Sequence, residues 1–220
     1  GNNGGDGLHA ARHLQQWGKS PQVTLIDGST PLPADAADAL QQARQAGLQF
    51  VTSPPAAWNL AIDALCGAGL RQAPYGAVAT QIQQLQAGHG QIISADLPSG
   101  LAGDTGLATG DCVRARATLG FLALQPGLFT GQGRDVCGDV WLNTLGTKYA
   151  SEGAAWLGAP SNVPARAQNS HKGKFGDLAI VGGANGMAGA ALLAATAGLH
   201  GGAGRVFLAL LDPSSYNLAL

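Results

Sequence analysis

The strongest constraint on the fold is a set of short, unbroken apolar runs separated by stretches with helical periodicity. Leu60-Ala61-Ile62 and Ile92-Ile93-Ser94-Ala95 each lead into an aspartate without alternating apolar and polar residues. A strand wet on one face alternates, whereas a strand covered by helices on both faces reads as a continuous apolar run. The pattern predicts strands over 23–27, 48–51, 60–65, 91–97, 117–122 and 136–142. It predicts helices over 8–17 and 75–87, with another opened by Pro31 and Pro33 and closed near Gly47, the usual helix punctuation. The repeated β-α-β order implies an α/β fold built on a doubly wound, Rossmann-like parallel sheet. Residues 148–165, which hold the only glutamate, Glu152, lose this periodicity and read as a linker. Beyond it a second unit begins, with a strand over 177–181, a glycine-rich loop, a helix over 187–200 and a strand over 205–211. A further element starts as the chain reaches Leu220.

Composition narrows what such a fold can do. The chain carries 12 Lys and Arg against 13 Asp and Glu, so it has no basic footprint for nucleic acid or an anionic membrane. No apolar run approaches the ~20 residues that cross a bilayer, and no charged-then-apolar leader opens the chain. Cys66, Cys112 and Cys137 lie far apart and form no C-x-x-C pair, so they read as reduced, packed thiols of a cytoplasmic protein. His9, His13, His89 and His200 share no metal spacing. His171 and Lys172 read as solvated, and Trp17, Trp58, Trp141 and Trp156 as packing anchors.

The 34 glycines gather at places where chemistry can happen. Gly1 to Gly7 form a glycine loop ahead of a helix, a setting in which backbone N–H groups attract anions. Its spacing is not G-x-G-x-x-G, and it has no Walker lysine. Asn2, Asn3 and Asp6 add amide and carboxylate oxygens suited to a polar ligand or a hard cation. Asp63 and Asp96 each end a strand and lead into a glycine-bearing loop. In an open parallel sheet ligands bind beyond the carboxyl ends of the strands, so both aspartates face the crevice of the opening loop. Carboxylates gathered there can hold a cation or exchange protons with a substrate.

Asn2-Asn3-Gly4-Gly5-Asp6-Gly7, then Asp63 with Gly67-Ala68-Gly69-Leu70, then Asp96-Leu97-Pro98-Ser99-Gly100 resemble the signature loops of the NAD(P)H-hydrate epimerase family. Asn169-Ser170-His171-Lys172-Gly173 and the run from Val181 to Ala191 are similar to the start of ADP-dependent NAD(P)H-hydrate dehydratase, a ribokinase-like α/β domain. The order matches the bacterial fusion of the two. The resemblance implies an isomerase for hydrated NADH and NADPH over residues 1–147, and the start of a lyase domain over 166–220.

Carried over by resemblance, Asn2, Asn3, Gly4, Gly5 and Asp6 hold the hydrated dinucleotide together with Gly67-Ala68-Gly69-Leu70-Arg71-Gln72-Ala73. Asp96 touches it as the catalytic acid or base, Ala190 is a further contact, and Asn3, Asp63 and Ser99 bind potassium. The resemblance also implies ADP or ATP with Mg2+ for the dehydratase, at a site beyond residue 220, and a homo-oligomeric full-length protein. Family members have a helix and a strand ahead of the asparagine loop, which this chain lacks. Gln125 stands where the family leads one to expect lysine, and Ala68 replaces a threonine. Two alternatives are a catalytically inactive Rossmann-like binding module and a Rossmann dehydrogenase. The second lacks the acidic residue that follows a dinucleotide fingerprint.

Overall fold

Parallel pairing of the short apolar runs organises the fold, in a computed structural model that describes residues 1–26, 31–55, 57–148, 153, 155–158 and 165–212. The chain divides into two compact units, Gly1–Trp156 and Leu157–Leu220. In the first, β3 (Leu60–Asp63), β4 (Gln91–Ala95), β5 (Ala117–Phe121) and β6 (Asp139–Asn143) form a four-stranded sheet in that order, every pair parallel. A separate parallel pair joins β1 (Gln22–Thr24) to β2 (Gln49–Val51). The helices are α1 (Asn2–Gln16), α2 (Ala34–Gln45), α3 (Gly76–Ala87) and the single turn α4 (Gly133–Val136). The expected α/β architecture is present, with its strands in two ladders among the described residues.

Helix packing in this unit relies on small side chains. Gly5, Leu8 and Ala11 form the buried stripe of α1, and Ala36, Ala39 and Ala43 form that of α2. The two helices pack on each other so closely that a Cβ at Gly5 would lie 3.3 Å from Ala36 Cα. Leu48, Val23 and Phe50 close this cluster from β1, β2 and the α2–β2 connection. On α3, Val78, Ile82 and Leu85 recur at helical spacing and pack with Trp58, Ala61, Leu65, Ile92 and Val113.

Several expected boundaries move, each for a visible reason. The helix expected from residue 8 begins at Asn2, so the supposed loop 1–7 is the first two turns of α1. Asparagine and glycine favour turns, yet here the close approach to α2 and to Ala64 selects them within a helix: a Cβ on Gly7 would sit 2.6 Å from Ala64 Cβ. The strand expected over 136–142 starts instead at Asp139, and Val136 belongs to α4. Gly138 separates the two at φ 59°, where a side chain would strike Arg116 O at 2.2 Å. Asp27, at the end of the first expected strand, lies outside the described residues, as does most of the linker at 148–165. Of the tryptophans, Trp58 packs, over Gly88 and Gly90. Trp17, Trp141 and Trp156 are exposed, contrary to expectation; Trp141 stands on the edge strand β6.

The second unit pairs β7 (Asp177–Gly182) with β8 (Arg205–Leu210) in parallel and joins them through α5 (Ala188–His200). Asp177 lies opposite Arg205, and the two make a bidentate ion pair at 2.7 Å. His171 and Lys172 are exposed.

Ile82 is 1% exposed and fills the space between α3 and β4, where no neighbour can collapse without moving the sheet. Ile82→Ala should lower the unfolding free energy by about 2–5 kcal/mol in urea titration. A loss below about 1 kcal/mol would contradict this packing.

Candidate functional site

Register sets the buried polar centre. Pairing of β3 with β4 places Asp63 opposite Ser94, and both side chains are completely buried. Ser94 Oγ donates to Asp63 Oδ2 at 2.8 Å, and the Ser99 N–H donates to the same oxygen at 2.8 Å. Ser99 Oγ donates to Asp63 Oδ1 at 2.6 Å while accepting the Cys66 N–H at 2.8 Å. One carboxylate therefore fastens the end of β3, the middle of β4 and the loop that follows β4. No Lys, Arg or His pairs with it among the described residues. Burial pushes its carboxyl above the ordinary 3.8, and the hydrogen bonds from Ser99, Ser94 and the Leu65 N–H oppose the shift.

Immediately after β4 the backbone turns sharply at Asp96. The Leu97 N–H bonds back to Ala95 O at 2.8 Å across Asp96, whose φ is 65°. This is a γ-turn in its strained hand, held from the sheet by the Asp96 N–H donating to Leu119 O at 2.8 Å. Strain of this kind persists where the surroundings over-determine it, and it gathers at functional sites. It lifts the half-buried Asp96 carboxylate out of the sheet edge, where Oδ2 accepts the Ala68 N–H at 2.7 Å.

The three segments expected to meet do meet. A Cβ on Gly67 would lie 2.6 Å from Asp96 Oδ2 and 3.3 Å from Asn3 Cγ, so glycine there lets α1, the β3 loop and the β4 loop converge. Asn3 sits in the first turn of α1, where backbone N–H groups lack helical partners. Its Oδ1 and Nδ2 are both buried and both without a hydrogen-bond partner. A buried amide left unmet costs about 1–3 kcal/mol, so this atom pair points to a ligand. Burial raises Asp6 above 3.8, with His9 opposing and the charge of Asp96 adding to the rise.

Leu70, Arg71 and Gln72 line an adjoining cleft of about 150 Å3 with Gly100, Thr105 and Thr109. Ala73 faces Gly110 on the same side. Asn2 is exposed at the start of α1. Gly4 approaches Ala64 O, and Gly5 is buried against α2, so the absent side chain at Gly5 serves helix packing. Ala190 lies in the second unit, exposed in the first turn of α5. Cys112 and Cys137 are pushed up to about 12 and about 11 by burial and stay protonated near neutrality. Sequence reasoning missed Ser94; its signal is a lone hydroxyl inside the apolar run 92–95.

This arrangement can bind an anion at the start of α1, meet a cation or polar group with Asn3, and present one carboxylate to a bound molecule. Residues 1–127 match the family described as YjeF-related protein N-terminus. The chain belongs to this family. It is 37% identical over 222 residues to the bifunctional NAD(P)H-hydrate repair enzyme Nnr of Escherichia coli (strain K12), covering 94% of this chain and 42% of that protein. It is 36% identical over 230 residues to the bifunctional NAD(P)H-hydrate repair enzyme of Leishmania major, covering 93% and 40%. The chain thus spans about two fifths of the length of these relatives. The yeast protein ynu0 (YNL200c) shares the fold, with a TM-score of 0.50, 21% identity, and coverage of 58% of this chain and 56% of that one.

Asp63 binds its proton more tightly folded than unfolded, so its contribution makes stability fall as pH rises above 3.8. The wild-type Tm should therefore drop more steeply between about pH 4 and pH 7 than that of Asp63→Asn. Parallel Tm curves would refute the burial of this charge.

Proposed function

We propose that residues 1–147 of this chain epimerise hydrated NADH and NADPH, interconverting the R and S forms, with Asp96 as the general acid and base. The observation that carries the reading is the Asp96 carboxylate, held on a strained turn where α1, the β3 loop and the β4 loop converge. Family membership and the names of the E. coli and Leishmania relatives support the substrate class. Ala68 N–H holds Oδ2 of Asp96 at 2.7 Å while Gln125 Nε2 reaches Oδ1 only at 3.5 Å, so Oδ1, the more weakly held oxygen, takes and returns a proton at the hydrated ring. The first-turn N–H groups of α1 suit the substrate's phosphates, and Arg71 in the adjoining cleft supplies a cation. Asn2, Gly4, Asp6 and the segment 67–73 border the bound dinucleotide.

Potassium fits the donor set. Asn3 Oδ1 has no partner, Asp63 is a buried carboxylate with no cationic neighbour among the described residues, and Ser99 carries a hydroxyl bonded to Asp63. Hard oxygens of this kind suit such an ion, which when bound offsets the negative charge of Asp63 and of the substrate phosphates. Asn3, Asp63 and Ser99 would hold it.

We read residues 148–165 as a linker and 166–220 as the start of an ADP-dependent dehydratase domain, with Ala190 bordering its hydrate pocket. The parent protein then also works as a lyase with ADP or ATP and Mg2+, and assembles as a homo-oligomer. The three free cysteines support a cytoplasmic location.

Asp96→Asn should lower the rate of conversion of purified R hydrate, followed by chiral chromatography, by about 10²-fold or more while the variant still binds the hydrate. Full activity would sink the assignment. Potassium chloride should raise the Tm of the wild type above its value in sodium chloride and leave Asp63→Asn unmoved. An equal rise in both proteins removes Asp63 from the ion site.

A further inference from the structure

Gln125 leads into the 3-10 turn Pro126–Leu128, whose Gly127 and Leu128 are buried. Leu128 is buried with Leu97 and Leu101, and the Gly127 N–H donates to Gly103 O at 2.6 Å. A Cβ on Gly127 would lie 2.3 Å from Ala102 O, so the turn is pressed directly onto the loop that follows β4. The Gln125 side chain continues along that loop. A Cβ on Gly103 would sit 1.8 Å from Gln125 Oε1, so glycine at 103 leaves room for the amide to pass. There, Nε2 faces Asp96 Oδ1 at 3.5 Å. That separation is at the long end of hydrogen bonding.

Asp96 is thereby gripped by two neutral donors from two different loops, Ala68 N–H on Oδ2 and Gln125 Nε2 on Oδ1. We propose that Gln125 is a positioning residue, fixing the rotation of the Asp96 carboxylate so that the remaining lone pair of Oδ1 is aimed into the crevice. This rests on the acid–base reading of Asp96 given above. A carboxylate held at one oxygen still swings, because the terminal torsion of aspartate is broad and roughly two-fold. Ala68 alone leaves the direction of Oδ1 undefined. The second donor defines it.

The test uses the 220-residue chain with Gln125→Met, which keeps length and packing but has no donor, and Gln125→Lys, which restores a donor at similar reach. Gln125→Met should lower kcat for epimerisation about tenfold, the equivalent of one hydrogen bond made in the transition state, with KM within about twofold. Gln125→Lys should recover most of that kcat. In the ligand-free protein the Ala68 amide resonance, which reports the bond to Oδ2, should move and broaden in Gln125→Met and return towards its wild-type position in Gln125→Lys. A Gln125→Met protein with wild-type kcat, or equal losses in both variants, would overturn the proposal. If the wild-type chain turns over no hydrate, the acid–base reading falls and the Ala68 resonance decides alone: an unmoved signal in Gln125→Met rejects the positioning role. If Gln125→Met does not fold, Gln125→Glu replaces it, with the same losses expected and the same overturning results.

Discussion

A single buried carboxylate, paired with no Lys, Arg or His among the described residues, holds the first unit together at its working edge. Asp63 is buried in the sheet and satisfied by Ser94 from the neighbouring strand and by Ser99 from the following loop. Remove it, and four donors, the Ser94 and Ser99 hydroxyls and the Ser99 and Leu65 N–H groups, lose this acceptor at once, in an interior where each unmet polar group costs about 1–3 kcal/mol. The position of Ser99 fixes the loop after β4, and the loop after β4 fixes the γ-turn at Asp96. The geometry of the crevice thus descends from one hydrogen-bonded acid.

The strand pattern was readable because strands covered on both faces must be apolar throughout. That logic places Asp63 and Asp96 at strand ends, and the register sets Asp63 beside Ser94. Other features were opaque for physical reasons. Asn2 to Gly7 carry turn-forming residues, and their helical state follows from how closely Ala36 and Ala64 approach, which only tertiary packing reveals. Val136 reads as a strand residue because it is apolar and β-branched, yet the conformation of Gly138 breaks the run. Trp141 reads as core and stands exposed on an edge strand.

Glycine has two uses here, and residue counts cannot separate them. At Gly5 and Gly7 the missing side chain lets one helix lie against its neighbours. At Gly67 and Gly103 it clears room for another residue's polar group, Asp96 Oδ2 in one case and Gln125 Oε1 in the other. The first kind sets how near the layers come; the second sets where a functional group can stand. Both crowd the same end of the sheet, and that explains why a composition so rich in glycine accompanies an ordered site.

The turn at Asp96 sets the fold and its chemistry against each other. An L-residue at φ 65° is held in a conformation that glycine adopts freely, so this position carries a conformational penalty in every folded molecule. A search for variants that withstand heat, made without regard to activity, would be drawn to glycine at 96 and would discard the carboxylate that the turn displays. Robustness and usefulness pull in opposite directions at a single backbone angle, and the aspartate marks the side on which this chain has come down.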